Sequence, residues 1–289
     1  MDCMNPYLDY VEGFARLLQH GRSLPLGQAR SEPLPPPQAG APVCLVFSPH
    51  PDDEAITAAL PWRLRHEDGW RVVNVAVTLG SNVHRRAARW VELQACCNFL
   101  SFDLLSASGE SERGLERVTP DMRDREPAYW ADCMAHVGRL LQSIRPQLIV
   151  CPHADDGHPA HCGTHALVLD ALRMVAGGLS PHVALAEYWN TQSAPGLMVE
   201  LGVPDVARLV GALSLHVGEV ARNPYHLSLP AWFADSVRRG AERVGAAGSA
   251  APDCAFAALY GWKRWQTGQL MDLPARTLPV TQRASVLFA

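Results

Sequence analysis

The chain has 289 residues, of which 48% are hydrophobic, so it can bury a full core in one principal domain. Its formal net charge is −4, and its lysines and arginines are spread along the sequence, which leaves no basic patch for nucleic acid. No stretch approaches the roughly 20 apolar residues that a membrane-spanning helix needs. We therefore expect a small-molecule partner, with no nucleic acid and no membrane involved.

Cysteine usage points to a reducing environment. Eight cysteines stand at irregular positions, including the adjacent Cys96 and Cys97, and no CxxC pair indicates a zinc knuckle or a redox motif. Met1 to Arg22 also lack the basic stretch and apolar core of a signal peptide. We expect a cytoplasmic protein with reduced thiols, and the sequence leaves open whether it forms a homo-oligomer.

The N-terminal segment, residues 1–42, is predicted to be a helix followed by an extended connector. Asn5-Pro6 is typical of a helix start, and apolar residues recur at helical spacing between Leu8 and Leu18. Residues 24–42 are rich in Pro, Gly, Ala and Gln and include three consecutive prolines. The main domain should therefore begin at Val43.

From Val43 onward, strand and helix signals alternate, which predicts a Rossmann-like α/β fold. The predicted strands are Val43–Phe47, Arg71–Thr78 and Gln147–Cys151, and the predicted helices are Glu54–Arg65, Arg85–Leu100, Tyr129–Ile144 and His161–Met174. Strands that are apolar on both faces and joined by helices indicate a mostly parallel sheet covered by helices on both sides. Ligands bind such sheets at the carboxyl ends of the strands, so the site is expected there.

The remainder of the chain carries weaker signals. Residues 106–126 are polar and long enough to form a mobile loop or lid. Helices are predicted at Pro204–Glu219 and Ala231–Arg243. We expect the main domain to cover residues 43–266 and residues 267–289 to form a C-terminal tail.

A cluster of ligand-type residues follows the first predicted strand. His50-Pro51-Asp52-Asp53-Glu54 places one imidazole and three carboxylates at a strand end and a helix start, which is costly without a cation. His and carboxylate ligands together suit Zn²⁺, and the three-residue step from His50 to Asp53 can aim both side chains at one point. Asp52 would then lie beside the metal without binding it.

A second cluster, residues 153–161, follows the third predicted strand. Pro159 suits the first turn of a helix, so His158 and His161 can share one side of that turn, one as a ligand and the other facing substrate. Two clusters at the carboxyl ends of parallel strands would converge on three protein ligands and an open position. That arrangement is typical of a catalytic zinc site, whereas a structural site is closed by four ligands.

These motifs resemble those of the PIG-L family of deacetylases, also called LmbE-like, over roughly Val43 to Leu169. The family signature, a strand followed by His-Pro-Asp-Asp-Glu with a later His-Pro-x-His, stands here at residues 50–54 and 158–161. Family members include enzymes that deacetylate N-acetylglucosaminyl conjugates. The resemblance implies one Zn²⁺ per chain and hydrolysis of an N-acetyl group from an amino sugar or sugar conjugate, which releases acetate and a free amine.

The resemblance also implies roles for individual residues. The implied metal ligands are His50, Asp53 and His161, the implied general base is Asp52, and His158 is implied to face the substrate carbonyl. An Arg-x-x-Glu-Leu element at residues 89–93 implies that Arg89 contacts the sugar.

Two positions depart from the family pattern. The minor departure is Ser48, which stands where Ala is frequent, and the other lies between the two histidines. Members commonly carry Asp between the two histidines, where it orients the substrate-facing His, and here that residue is Ala160. Asp155 and Asp156 are the candidates to replace that carboxylate. If either does so, it would hold His158 in its protonated form, which would stabilise an oxyanion and protonate the leaving amine.

Several residues have two readings. Arg89 fits a solvated basic helix face as well as a sugar contact. His226 lies in a predicted turn and is a candidate substrate contact. Trp189, Trp232 and Trp262 could stack on a sugar ring, although core packing is the commoner role of tryptophan.

Two other functions compete with deacetylation. A metal site beside a carboxylate base could serve a hydratase or lyase acting on a small carboxylate substrate. The chain could also be a catalytically impaired metal-binding protein with a recognition role, which Ala160 favours and the retained Asp52 opposes.

Overall fold

The computed structural model describes residues 5–175, 178–250 and 252–289. The strands are β1 (Val43–Ser48), β2 (Arg71–Ala76), β3 (Asp103–Ser106), β4 (Leu148–Pro152), β5 (His182–Ala186), β6 (Leu197–Leu201), β7 (Phe256–Gln266), β8 (Gln269–Asp272) and β9 (Arg276–Leu278). The helices are α1 (Leu8–Gly21), α2 (Asp53–Ile56), α3 (Ala59–Asp68), α4 (Arg86–Leu100), α5 (Met122–Arg125), α6 (Pro127–Ile144), α7 (Pro159–Met174), α8 (Val203–Leu213), α9 (Val217–Val220) and α10 (Tyr225–Gly240). Three short 3₁₀ or π segments are Val83–Arg85, Ala241–Gly245 and Ala284–Phe288.

The sheet has the order β3-β2-β1-β4-β5-β7-β6-β9, with β8 paired to β7. The half from β3 to β5 is parallel throughout, and β7 runs antiparallel to both β5 and β6. The predicted mostly parallel α/β sheet is therefore confirmed. The antiparallel β7 closes the parallel half and joins it to β6.

Both faces of the sheet are covered, because successive side chains of a strand point to opposite sides. In β1, Cys44 and Val46 belong to one hydrophobic cluster, whereas Leu45 and Phe47 belong to the other. All four are completely buried. This explains why β1 is apolar without alternation.

The order of the strands reverses at β1. The chain moves outward from β1 to β2 and β3, and then returns to β4 on the other side of β1. In open α/β sheets the crevice beyond the carboxyl ends at such a reversal is where ligands bind. Both ligand-type clusters lie there, since one follows β1 and the other follows β4.

The helix predicted at Glu54–Arg65 is divided into α2 and α3. Pro61 has no N–H to donate to the carbonyl oxygen of Thr57. That oxygen instead accepts a hydrogen bond from the Tyr260 hydroxyl at 2.7 Å, and the same hydroxyl accepts from Leu60 N at 3.1 Å. The break therefore depends on Tyr260 in β7, far along the chain.

Residues 267–289, which the sequence suggested were a C-terminal tail, are packed into the fold. Strand β8 pairs with β7 and strand β9 pairs with β6. Arg63, which is only 1% exposed, donates hydrogen bonds to the carbonyl oxygens of Leu278 and Pro279. A buried guanidinium needs such acceptors, so the C-terminal segment completes the core around it.

The weaker predictions after β4 hold in part. Strands β5 and β6 were missed, and the helix predicted at Pro204–Glu219 is shorter and followed by the separate α9. The helix predicted from Ala231 begins earlier, at Tyr225, and contains Pro230. None of the helices in the described part of the chain has both the length and the apolar character required to cross a membrane.

Candidate active site

A cavity of about 1190 Å³ opens at the carboxyl ends of β1, β2 and β4. It is larger than the roughly 300–1,000 Å³ typical of small-ligand sites. The clusters after β1 and β4 form its floor, residues 116–119 of the predicted loop form one side, and residues of α10 with Trp189 form another. The segment 106–126 thus contributes directly to the wall of the cavity.

Three ligand-type atoms meet at the cavity floor, and we call their residues, His50, Asp53 and His161, the front cluster. His50 Nδ1 and His161 Nε2 each lie 3.3 Å from Asp53 Oδ2, and the two nitrogens are 3.2 Å apart. Tetrahedral zinc with bonds of about 2.0–2.1 Å separates its ligands by about 3.3–3.4 Å. An octahedral Mg²⁺ site with bonds of similar length would bring neighbouring ligands to about 2.9 Å. The triangle therefore fits a tetrahedral Zn²⁺ ion.

The local fold orients each corner of this triangle. His50 lies in the turn after β1, and its backbone N–H donates to Asp53 Oδ2 at 2.8 Å. Asp53 is the first residue of α2, and His161 is in the first turn of α7 behind Pro159. The sequence prediction that these three residues converge is consistent with this geometry.

The electrostatics of the front cluster show how strongly it attracts a positive charge. Burial opposes ionisation of Asp53, but the charge of His161 and hydrogen bonds from His161 and His50 hold the pKa of Asp53 well below its usual range. Burial lowers the pKa of His161, yet Asp53 and Asp156 outweigh it and raise the value to about 10. Without a metal, a proton on His161 neutralises the carboxylate.

Asp156 supports His161 from behind. Its Oδ1 lies 3.1 Å from His161 Nδ1, although the angle is not that of a hydrogen bond, and its Oδ2 accepts from the backbone N–H of Trp189 at 3.1 Å. A carboxylate behind a ligating histidine fixes the ring and raises its basicity. The sequence offered Asp155 and Asp156 as partners for His158, but Asp155 is exposed and Asp156 faces His161.

His158 lies beside the front cluster and lines the cavity. It precedes α7, where its Nδ1 accepts the backbone N–H of Ala160 at 3.3 Å. Nδ1 is therefore an acceptor, so the ring carries its proton on Nε2. Burial, followed by the charges of His50 and His161, lowers the pKa of His158. Both observations favour a neutral imidazole that donates through Nε2, in contrast to the protonated ring that the sequence suggested.

Asp52 lines the cavity in a strained backbone conformation. Its φ of 115° lies in a region that residues other than glycine rarely adopt. The side chain is only 6% exposed, and burial together with the charge of Asp53 raises its pKa well above the usual range. A carboxyl group in this environment takes up a proton more readily than an exposed aspartate, and it can act as a general base only in its ionised form.

Arg89 and His226, the two predicted substrate contacts, are placed differently. Arg89 lines the cavity, but its guanidinium donates to Pro51 O at 3.1 Å and lies 3.8 Å from Glu219. Gly80, with φ +84°, leaves the space that Arg89 fills, since an added Cβ would lie 2.1 Å from the guanidinium. His226 is buried and lies outside the cavity lining, to which Tyr225 and Ser228 contribute from the same helix.

An aromatic wall lines one side of the cavity, and the sequence raised two of its members, Trp189 and Trp232, as possible sugar contacts without selecting them as site residues. Trp189, Tyr225 and Trp232 line the cavity, and Trp189 is 56% exposed. The Trp189 ring lies nearly parallel to His158, with centroids 6.1 Å apart, and meets Tyr225 edge-on. The exposure of a tryptophan follows from the tertiary fold, so the sequence could not separate Trp189 and Trp232, which line the cavity, from the buried Trp262.

Comparison with known proteins identifies part of the chain. Residues 45–172 match the family model described as GlcNAc-PI de-N-acetylase, PIG-L. We refer to this matched segment, residues 45–172, as the PIG-L domain. No curated protein sequence matches the chain significantly.

Solved structures of this fold include enzymes of two reaction types. A deacetylase of teicoplanin biosynthesis, solved with teicoplanin, is 14% identical with a TM-score of 0.55, covering 78% of this chain and 99% of that one. The N,N′-diacetylchitobiose deacetylase of Pyrococcus horikoshii is 15% identical with a TM-score of 0.54, covering 91% and 94%. The 4-carboxy-2-hydroxymuconate hydratase of Pseudomonas putida KT2440 is 15% identical with a TM-score of 0.55, covering 80% and 99%. At these identities the likeness shows a shared fold.

The PIG-L domain supplies only part of the cavity. His50, Asp52, Asp53, His158 and His161 all lie within residues 45–172. The aromatic wall and Glu219 lie beyond that range. The lining of the cavity is therefore divided between residues 45–172 and the C-terminal part of the chain.

Proposed function

We propose that this protein is a zinc-dependent deacetylase that hydrolyses the N-acetyl group of an amino sugar or sugar conjugate and releases acetate and a free amine. The observation that carries the proposal is the front cluster, whose three ligand atoms lie 3.2–3.3 Å apart beside Asp52 and His158 in one cavity. His50, Asp53 and His161 would hold one Zn²⁺ per chain. A Zn²⁺ ion in this position would supply Lewis-acid chemistry, which lowers the pKa of water and polarises an amide carbonyl.

The chain's own residues would move the protons. Asp52 accepts a proton from the attacking water, whose oxygen forms the new bond to the acyl carbon. The Nε2–H of His158 donates to the oxygen that becomes negative, and a neutral imidazole suffices for this donation. When the C–N bond breaks, Asp52 returns the proton to the leaving nitrogen, so the products are acetate and the amine.

The cavity supports a substrate larger than one sugar ring. Its volume of about 1190 Å³ exceeds that of a monosaccharide site, and Trp189 presents an exposed face beside His158. We propose that a sugar ring stacks on Trp189 while the remainder of a conjugate extends along α10. The teicoplanin and diacetylchitobiose deacetylases of the same fold are consistent with such a substrate. A cytoplasmic location and homo-oligomer formation stay predictions.

The proposed activity can be tested with zinc-loaded protein and a panel of N-acetylated substrates. The panel contains N-acetylglucosamine, chito-oligosaccharides and N-acetylglucosaminides with apolar or polar aglycones, and both amine and acetate are measured. We expect equal amounts of the two products from at least one conjugate, and a strong decrease with the metal-loaded Asp52→Asn variant. Absence of both products at full zinc occupancy would contradict the proposal. Hydration of an unsaturated carboxylate instead would support the hydratase alternative.

A further inference from the structure

A second group of ligand-type residues lies behind the active site, and we call Glu54, Cys96 and His216 the rear cluster. All three are buried, with exposures of 0%, 0% and 1%. Glu54 Oε1 lies 2.5 Å from His216 Nε2, and the ligand-type atoms of all three residues lie within 4.8 Å of one another. The composition resembles that of a metal site, so its geometry decides its role.

The short contact in the rear cluster indicates a direct hydrogen bond between His216 and Glu54. Ligands of a tetrahedral zinc ion stand about 3.3–3.4 Å apart, so no metal fits between atoms at 2.5 Å. His216 Nδ1 has no hydrogen-bond partner among the described residues, which suits a bare acceptor nitrogen better than a buried N–H. The proton therefore lies on Nε2 and bridges to Glu54.

Glu54 uses its other oxygen to hold the backbone of the proposed base. Glu54 Oε2 accepts the N–H of Asp52 at 2.9 Å. The same peptide group is also held through its carbonyl oxygen. This oxygen, that of Pro51, accepts a hydrogen bond from Arg89 Nη2 at 3.1 Å. The peptide group between Pro51 and Asp52 is thus held at both ends. This peptide leads into the strained φ of Asp52, which needs such restraint to persist.

Residues in and next to α9 contact Glu54 and Arg89, the two side chains that hold this peptide group. His216 directly precedes α9 and contacts Glu54, whereas Glu219 lies within α9 and faces Arg89 at 3.8 Å. A buried carboxylate such as Glu54 is stable only with a partner, and His216 provides one from 162 residues away. The histidine lies outside the PIG-L domain, residues 45–172.

We infer that His216 is a positioning residue which, through Glu54, holds the peptide group before Asp52 and so aims the Asp52 carboxylate at the attacking water. The expected fall in kcat rests on the proposed deacetylation, whereas the restraint of the peptide group before Asp52 does not. Arg89, anchored by Glu219, restrains the same peptide group from the other side. Arg89 therefore acts on the backbone, in addition to any contact it makes with substrate.

Two amide substitutions at His216 distinguish a positioning role of this residue from a packing role. In His216→Gln the amide nitrogen takes the place of Nε2 and still reaches Glu54, whereas in His216→Asn it takes the place of Nδ1 and does not. We expect kcat to fall about 10- to 100-fold in His216→Asn, with KM and zinc content unchanged, and to stay within about 3-fold of wild type in His216→Gln. His182→Leu, at the amino end of β5 and away from the carboxyl ends of the strands, controls for loss of a histidine elsewhere.

A second measurement does not require turnover. Hydrogen exchange at the Asp52 amide should be faster by about tenfold or more in His216→Asn than in wild type or His216→Gln, because the bond to Glu54 is loosened. If His216→Asn does not fold, Glu54→Leu is compared with Glu54→Gln, which retains an acceptor for the Asp52 N–H. The inference would be overturned if the two variants of a pair showed the same amide exchange rate and the same kcat, whether both match wild type or both are impaired equally. A wild-type protein that releases no amine would count against the proposed function, and amide exchange would still decide the positioning role.

Discussion

The front and rear clusters both contain a carboxylate and a histidine of the types that bind metals, but they differ in the spacing of these groups and in their access to solvent. The three front atoms lie 3.2–3.3 Å apart at the floor of a cavity, and the His50 side chain is 20% exposed. In the rear cluster the Glu54 and His216 atoms lie 2.5 Å apart, and neither side chain is more than 1% exposed. The first spacing suits a metal ion and the second suits a proton.

This contrast shows that residue type alone does not identify a metal site. A metal needs its ligands far enough apart to surround it and a path of entry, whereas a buried carboxylate and imidazole in direct contact already satisfy each other. The consecutive Asp52, Asp53 and Glu54 divide these tasks. Asp53 belongs to the front cluster, Glu54 belongs to the rear cluster, and Asp52 lines the cavity.

The largest expected effect concerns metal content. Asp53→Ala and His161→Ala each remove one corner of the front triangle, so zinc affinity should fall by more than about 100-fold, beyond the range typical for outer residues. His216→Asn should keep its zinc, because its cluster holds a proton. Elemental analysis after dialysis against a weak chelator measures the difference. Zinc loss from His216→Asn together with retention in both front variants would reverse the assignment of the two clusters.

The next effect concerns the residue between the clusters. Asp52→Asn keeps the shape of the side chain but cannot accept a proton, so kcat should fall by about 10² to 10⁴. Zinc content should stay unchanged, because Asp52 is not a corner of the front triangle. Steady-state kinetics on metal-loaded protein test this, and full activity in the variant would remove Asp52 from the mechanism.

The sequence predicted three strands of the parallel half, β1, β2 and β4, because they are continuous apolar runs between helices, but it missed β3 and β5. It also did not predict β8 and β9, which have only 4 and 3 residues, or the division of α2 from α3. Both features depend on distant partners. Tyr260 donates a hydrogen bond to the Thr57 carbonyl oxygen. Arg63 donates to the carbonyl oxygens of Leu278, the last residue of β9, and of Pro279.

The candidate site was also predicted only in part. The front cluster was predictable because its ligands follow two strands at recognisable spacing. Asp156 was noticed in the sequence but matched to His158, since spacing cannot tell which ring a carboxylate faces. His216 carries no local signal, because the residue it contacts is 162 positions away. Trp189 was considered and left out, since its exposure follows from the tertiary fold.

A smaller effect concerns competition between metal and proton at the front cluster. The pKa of His161 is raised to about 10, above its usual value near 6.5, so between these values the folded metal-free protein holds a proton that zinc must displace. Apparent zinc affinity should therefore rise about tenfold per pH unit from 6.5 to 8. For the same reason the stabilising His161–Asp53 ion pair of the metal-free protein is complete below pH 6.5 and is lost as pH rises towards 10.

Competition with a chelator of known affinity at several pH values measures this slope. The His216→Asn variant should show the wild-type slope, because its cluster does not bind the metal. A zinc affinity independent of pH in this range would mean that His161 carries no displaceable proton in the metal-free protein. The same slope in His161→Gln would assign the displaced proton to another group.

The smallest expected effect concerns substrate recognition at the open side of the front cluster. Trp189→Ala removes an exposed ring that lies parallel to His158, so KM for a sugar conjugate should rise about 3- to 10-fold while kcat changes little. The backbone N–H of Trp189 still donates to Asp156 in this variant, so support of His161 and zinc content should be preserved. Trp189→Phe is the matched control, since it keeps an aromatic face and should keep KM within about 2-fold of wild type. This pattern is the opposite of that expected for His216→Asn, where kcat falls and KM is constant. If Trp189→Ala lowers kcat without changing KM, then Trp189 acts on His158 and the sugar binds elsewhere in the cavity.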